Sequence, residues 1–136
     1  MGQSDNLEAD RHPASSRRLL IAEDEIIIRM VIAEALRDDG WDVVETSTAD
    51  EALDALNRDS DFDLLLTDVH MPGDLTGLDL AGQVRQRYGH IRIAVMSGQH
   101  RPDGKSPQTW DLFLGKPIRN VVEALAPLAK SINDRD

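Results

Sequence analysis

The chain has 136 residues, 25 Asp and Glu against 15 Lys and Arg for a formal charge of −10, and no cysteine. That length suits one domain able to bury a proper core, and the missing cysteines exclude a disulfide framework and thiolate-held metal. An isoelectric point near 4.7 argues against nucleic acid as a direct partner, because phosphate binding is driven by clustered Lys and Arg. No apolar run approaches the about 18 residues of a membrane span, and the polar start is no signal peptide, so a soluble, cytoplasmic protein without a membrane partner is expected.

Residues 1–18 carry no hydrophobic period, and their three acids and three arginines cancel, so they read as a disordered leader before a domain over 19–136. Within that domain the charge is lopsided. Residues 23–79 hold 17 acids and three bases, whereas residues 80–136 hold five acids and nine bases.

From Leu19 two periods alternate. Leu19-Leu20-Ile21-Ala22 is the continuous apolar run of a strand buried on both faces. Ile28, Val31, Ile32, Ala35 and Leu36 then fall on one helix face, with Arg29, Glu34 and Arg37 pointing away, and Gly40 ends the helix. Trp41–Thr46 is a second strand. Thr48 and Glu51 form a capping box that opens a helix through Asn57. Phe62–Thr67 is a third strand, and Leu80, Ala81, Val84 and Tyr88 give the next helix its apolar side. Ile91–Met96 and Asp111–Leu114 are the fourth and fifth strands. A final helix carries Ile118, Val121, Val122, Leu125, Ala129 and Ile132, with Pro127 kinking it. Between strands four and five, Pro102, Gly104 and Pro107 leave residues 97–110 as a loop or barely one turn. The expected fold is α/β, a doubly wound five-stranded parallel sheet with its fourth helix shortened or missing.

In an open parallel sheet the working groups collect at the carboxyl edge of the strands. Strand one ends in Glu23-Asp24-Glu25, strand three in Asp68, strand four in Ser97 and strand five in Lys116. Strand two sits at the sheet edge if the order is 2-1-3-4-5. Several carboxylates brought this close repel strongly, which calls for a proton or a cation, and a hard ion such as Mg²⁺ prefers such oxygen ligands. Asp68 is then suited to act as a nucleophile toward phosphorus, with Lys116 and the Ser97 hydroxyl sharing the charge of the phosphoryl oxygens.

These residues resemble the receiver domain of two-component response regulators. The likeness runs from residue 19 to about 132 and rests on LLIAEDE, LLLTDVHMPG, VMSG and FLGKP at successive strand ends, with 44 positions from Asp24 to Asp68. The resemblance implies that Asp68 is the phospho-acceptor and Asp24 a direct Mg²⁺ ligand. It makes Glu23 a second acid acting directly or through water, and the backbone carbonyl of His70 a further metal ligand. By the same resemblance Ser97 is the switch hydroxyl, Lys116 its ion-pair partner, Phe113 the switch aromatic, and Lys116-Pro117 the peptide often cis in this family. His70 and Gln99 occupy positions that tune phosphoryl lifetime. Two departures stand out: MPGDLTG is one residue longer than usual, and Ser97 to Lys116 is about three residues short.

The expected function is that of a stand-alone receiver, not an enzyme beyond Mg²⁺-dependent self-phosphorylation and self-dephosphorylation. It takes its phosphoryl group from a sensor histidine kinase or histidine phosphotransfer protein and signals to a downstream protein partner. Its rivals are a phosphorylation-independent scaffold of the same fold, an aspartyl-phosphate phosphohydrolase, and a flavin-binding protein of similar topology.

Overall fold

The computed structural model describes residues 17–98 and 109–134. The strands are β1 (Arg17–Ala22), β2 (Trp41–Thr46), β3 (Leu64–Asp68), β4 (Arg92–Ser97) and β5 (Leu112–Gly115). The helices among the described residues are α1 (Ile26–Asp38), α2 (Ala49–Arg58), α3 (Gly77–Arg87), α4 (Val121–Ala124) and α5 (Ala126–Asn133). All strand pairings are parallel, as the pattern of apolar runs and helices predicts, and the strands lie in the order β2-β1-β3-β4-β5.

Alternation along the strands divides the interior into two cores. Leu20, Leu65, Ile93 and Val95 face α2 and α3, where they meet Ala52, Leu56, Leu80 and Val84. Leu19, Ile21, Leu64, Leu66 and Met96 face the opposite way, toward Ile32 and Leu36 of α1 and toward Val121, Leu128 and Ile132 of the C-terminal helices. Because the central strands are covered on both sides, β3 is buried along its whole length.

Several local features depart from the sequence pattern for identifiable reasons. Strand β1 starts at Arg17, not Leu19, because both arginines find partners along it. The Arg17 guanidinium lies 4.4 Å over the Trp41 ring, and that of Arg18 lies 4.3 Å over Phe62 while pairing with Asp42 and Asp59. Val31 is 62% exposed, so it leaves the face assigned to it. The first turns of α1 are apolar on more than one side, and spacing alone could not tell which side meets the sheet. The C-terminal segment is two helices, not one kinked helix: they part at Leu125, and Pro127 falls in the first turn of α5, where its missing N–H costs nothing. Thr48 caps α2 by accepting from the Glu51 N–H, but the Glu51 carboxylate reaches past it to the N–H and hydroxyl of Ser47. The complete capping box belongs instead to Thr76 and Asp79 at the start of α3. The expected loop over 97–110 falls largely on residues outside those described, as do Gln99 and most of the leader.

The connection from β3 to α3 passes through Gly73, whose φ of +109° lies in the region open to glycine. It closes at Gly77, whose N–H donates to the Val69 carbonyl at 2.8 Å. A Cβ on Gly77 would overlap the Asp68 carbonyl, whereas one on Gly82, inside α3, would meet nothing within 4 Å. Gly77→Ala is therefore expected to destabilise the fold by about 1–3 kcal/mol or more, as overpacking does. Gly82→Ala is expected to stabilise it by about 0.5–1 kcal/mol through helix propensity. Urea denaturation of the two variants reads both signs, and equal effects would contradict the close approach at Gly77.

Candidate functional site

The parallel register brings the strand ends to one level. Ala22 pairs with Thr46 and Thr67, Asp68 with Met96, and Ser97 with Gly115. Glu23, Asp68, Ser97 and Lys116 therefore emerge along the same edge, although they are scattered through the chain. Glu23 keeps one further sheet-like bond, its N–H donating to the Thr46 carbonyl at 3.1 Å. Helix α1 begins only at Ile26, so Glu23, Asp24 and Glu25 are not acids of its first turn.

Carboxylate oxygens of Glu23, Asp24 and Asp68 lie within 4.8 Å of one another. The Lys116 ammonium bridges two of the three, donating to Glu23 Oε1 at 3.0 Å and to Asp68 Oδ2 at 3.2 Å. Glu23 is fully buried, and its second oxygen accepts the Glu25 N–H at 3.1 Å. Asp24 is half-buried, and no described group pairs with its carboxylate.

Burial pushes the Glu23 carboxyl above its ordinary range, against the Glu25 N–H and Lys116, which favour the charged form; the negative charge of Asp68 adds to the rise. Lys116 shows the opposite balance: burial lowers its pKa, but the hydrogen bond to Glu23 and the charge of Asp68 outweigh it, and the net shift is upward. One ammonium thus faces three carboxylates. The donor set is all oxygen, one carboxylate is open, and negative charge is in excess, which fits a hard divalent cation such as Mg²⁺.

Ser97 is buried at the same edge, and its carbonyl accepts the Lys116 N–H at 3.0 Å, tying the ends of β4 and β5 together. The Lys116-Pro117 peptide is cis. His70 lies on the exposed surface two residues beyond Asp68. Phe113 stands on the α2/α3 side of the sheet, half-buried, with its ring 6.1 Å from that of Trp110.

Three supporting residues were not singled out by sequence reasoning. Gly77 abuts the Asp68 carbonyl, and Thr67 donates its hydroxyl to that same oxygen at 2.9 Å. Arg29 turns back from α1 to donate to the Glu23 carbonyl at 2.8 Å, instead of pointing into solvent. The only signals available for them were the glycine closing MPGDLTG and the five-residue step from Asp24 to Arg29.

Lys116→Met keeps most of the side-chain bulk but leaves the buried acids without their ammonium, an expected loss of about 3 kcal/mol at neutral pH in the absence of divalent cations. Burial already raises the Glu23 pKa, and losing the ammonium that favours its charged form raises it further. The deficit should therefore shrink at pH 5 and grow toward pH 8, as measured by thermal denaturation in EDTA. A deficit independent of pH would show that Lys116 acts through packing alone.

The sequence profile described as "Response regulator receiver domain" matches residues 19–118. The chain is 33% identical over 132 residues to the sensory/regulatory protein RpfC of Xanthomonas campestris, a match covering 89% of this chain and 18% of that protein. It is 39% identical over 79 residues to the transcriptional regulatory protein PdtaR of Mycobacterium tuberculosis, covering 57% of this chain and 38% of that one. The chain thus spans well under half the length of these relatives. Among solved structures, a response regulator receiver domain protein from Methanospirillum hungatei superposes with a TM-score of 0.77 at 22% identity, covering 88% of this chain and 98% of that one. The response regulator TrrA of Thermotoga maritima, solved in complex with Mg(2+)-BeF, gives a TM-score of 0.74 at 26% identity, covering 82% and 98%. With the match spanning most of the chain and the fold shared with solved receiver domains, this protein belongs to the response regulator receiver domain family of two-component systems.

Proposed function

We propose that Asp68 accepts a phosphoryl group from a phosphohistidine donor in a Mg²⁺-dependent reaction. The observation that carries this is the environment of its carboxylate: nearly buried, 3.2 Å from an ammonium and clustered with two further acids. A carboxylate oxygen of Asp68 attacks phosphorus. The P–N bond to the donor imidazole breaks, and its electron pair returns to the ring nitrogen. Water later cleaves the acyl phosphate to free the carboxylate and inorganic phosphate.

Asp24, Asp68 and the His70 carbonyl would hold Mg²⁺, with Glu23 close behind; the TrrA complex supports that choice of ion. When bound, the ion supplies charge neutralisation for the acids and for the incoming phosphoryl oxygens. Lys116 exchanges part of its pairing with Asp68 for a phosphoryl oxygen, and the Ser97 hydroxyl donates to another. Phe113 responds as the β4–β5 edge draws in, and the altered surface is what a downstream protein reads.

An exposed apolar stripe supports α1 as the donor's docking ground. Ile26, Ile27, Met30 and Val31 are exposed by 47–70%, and they form an apolar stripe on α1 that starts two residues after Asp24. Such a stripe beside the mouth of the site suits a helix of the phosphodonor protein.

Incubation with a small phosphodonor and Mg²⁺ should add one acid-labile phosphate, seen by intact-mass spectrometry, which EDTA or Asp68→Ala abolishes. Labelling that persists in Asp68→Ala would overturn the assignment. A protein that binds no Mg²⁺ at millimolar concentration would be a scaffold and not a phospho-acceptor. Ile27→Asp should slow transfer from a histidine phosphotransfer protein roughly tenfold, the free-energy scale of one lost interface anchor. Labelling by the small donor should be unchanged; equal slowing with both donors would exclude α1 as the docking surface.

A further inference from the structure

Arg29 sits in the second turn of α1, where a long polar side chain would ordinarily extend into water. Its side chain is only 17% exposed and leans toward the helix start, as helical side chains do. One terminal nitrogen donates to the Glu23 carbonyl at 2.8 Å, and Nε donates to Glu45 Oε1 on the edge strand β2 at 3.2 Å. Glu45 is held in turn by Arg37, which donates to its other oxygen at 2.9 Å and to the Val43 carbonyl at 2.8 Å. The guanidinium is thus clamped at one end and grips the backbone at the other.

The backbone that it grips is where β1 leaves the sheet. Every polar atom of Glu23 is engaged: its N–H by the Thr46 carbonyl, its two carboxylate oxygens by Lys116 and the Glu25 N–H, and its carbonyl by Arg29. That carbonyl belongs to the Glu23–Asp24 peptide. The orientation of this plane determines where the Asp24 carboxylate, which no described side chain holds, lies relative to Glu23 and Asp68.

We propose that Arg29, braced by Glu45, is a positioning residue for the divalent-cation site: it fixes the Glu23–Asp24 peptide and so keeps the acid cluster at cation-binding separation. This rests on the Mg²⁺ reading above. Its effect has the opposite sign to that of its charge. A cation near an acid cluster weakens Mg²⁺ binding by repulsion, whereas a group that orders the ligands strengthens it.

The test is a Mg²⁺ titration at constant ionic strength, by calorimetry, of wild type, Arg29→Gln, Arg29→Lys and Glu45→Gln. Positioning predicts that R29Q and R29K each lose roughly tenfold in affinity, the scale expected when a ligand's support is removed. Lysine keeps the charge but cannot make both bonds. E45Q should lose less, and the R29Q/E45Q double variant no more than R29Q alone, because both changes release one clamp. Tighter binding by R29Q with R29K unchanged would assign Arg29 a charge effect only and overturn the proposal, as would unchanged affinity throughout. If wild type itself binds no Mg²⁺, the cation reading fails and amide hydrogen exchange of the metal-free protein decides the matter. The Glu23 and Glu25 amides should exchange about tenfold faster in R29Q and R29K, with the β3–β4 ladder unaffected. Unchanged exchange there would refute the positioning role.

Discussion

The arrangement turns on a fully buried carboxylate, that of Glu23, held beside a second acid by one lysine. Two unit charges about 4 Å apart interact by about 4 kcal/mol at an effective dielectric of 20, and removing each from water costs more. The fold tolerates this because Glu23 has a full set of partners and because Lys116 serves both acids. Strand order, register and the packing on both faces of the sheet then serve one electrostatic end. They hold negative charge in excess of positive at a place where a cation can relieve the imbalance.

Rigid surroundings make that imbalance useful. Asp68 ends a strand buried along its length, and its carbonyl is fixed from two sides, by the Thr67 hydroxyl and by the backbone at Gly77. The carboxylate is left as the part of the residue able to change partners. Lys116 and Ser97 are joined through their backbones, so the ammonium is anchored to the ends of β4 and β5 together. The first turns of α1 contribute differently, leaving Ile26, Ile27, Met30 and Val31 as exposed apolar surface close to Asp24 in the chain.

Much of this was legible in the sequence, because strands buried on both faces leave continuous apolar runs and parallel topology forces the residues after them onto one edge. Glu23, Asp24, Asp68, Ser97 and Lys116 follow from that rule alone. The rule was silent on helix rotation: α1 is apolar around much of its first turns, so Val31 was assigned to the core although it lies outside. It also missed contacts between side chain and backbone. Nothing in the residue type of Arg29 announces that it turns inward to a carbonyl, and a glycine reveals a close approach only once the opposing oxygen is located. The start of β1 was obscured for a related reason. Arg17 and Arg18 are polar by composition, yet stacking on Trp41 and Phe62 makes them strand residues.

Lys116 lies 93 positions from Glu23 and 48 from Asp68 along the chain. Its side chain arrives with β5, the sheet's last strand in sequence. Until β5 docks, a growing polypeptide that has already paired β1 with β3 holds its acids together with no ammonium between them, and like charge opposes their burial. Docking of the final strand therefore supplies the ammonium that this edge needs. The pairing that makes the acid cluster tolerable thus waits on the last strand of the fold.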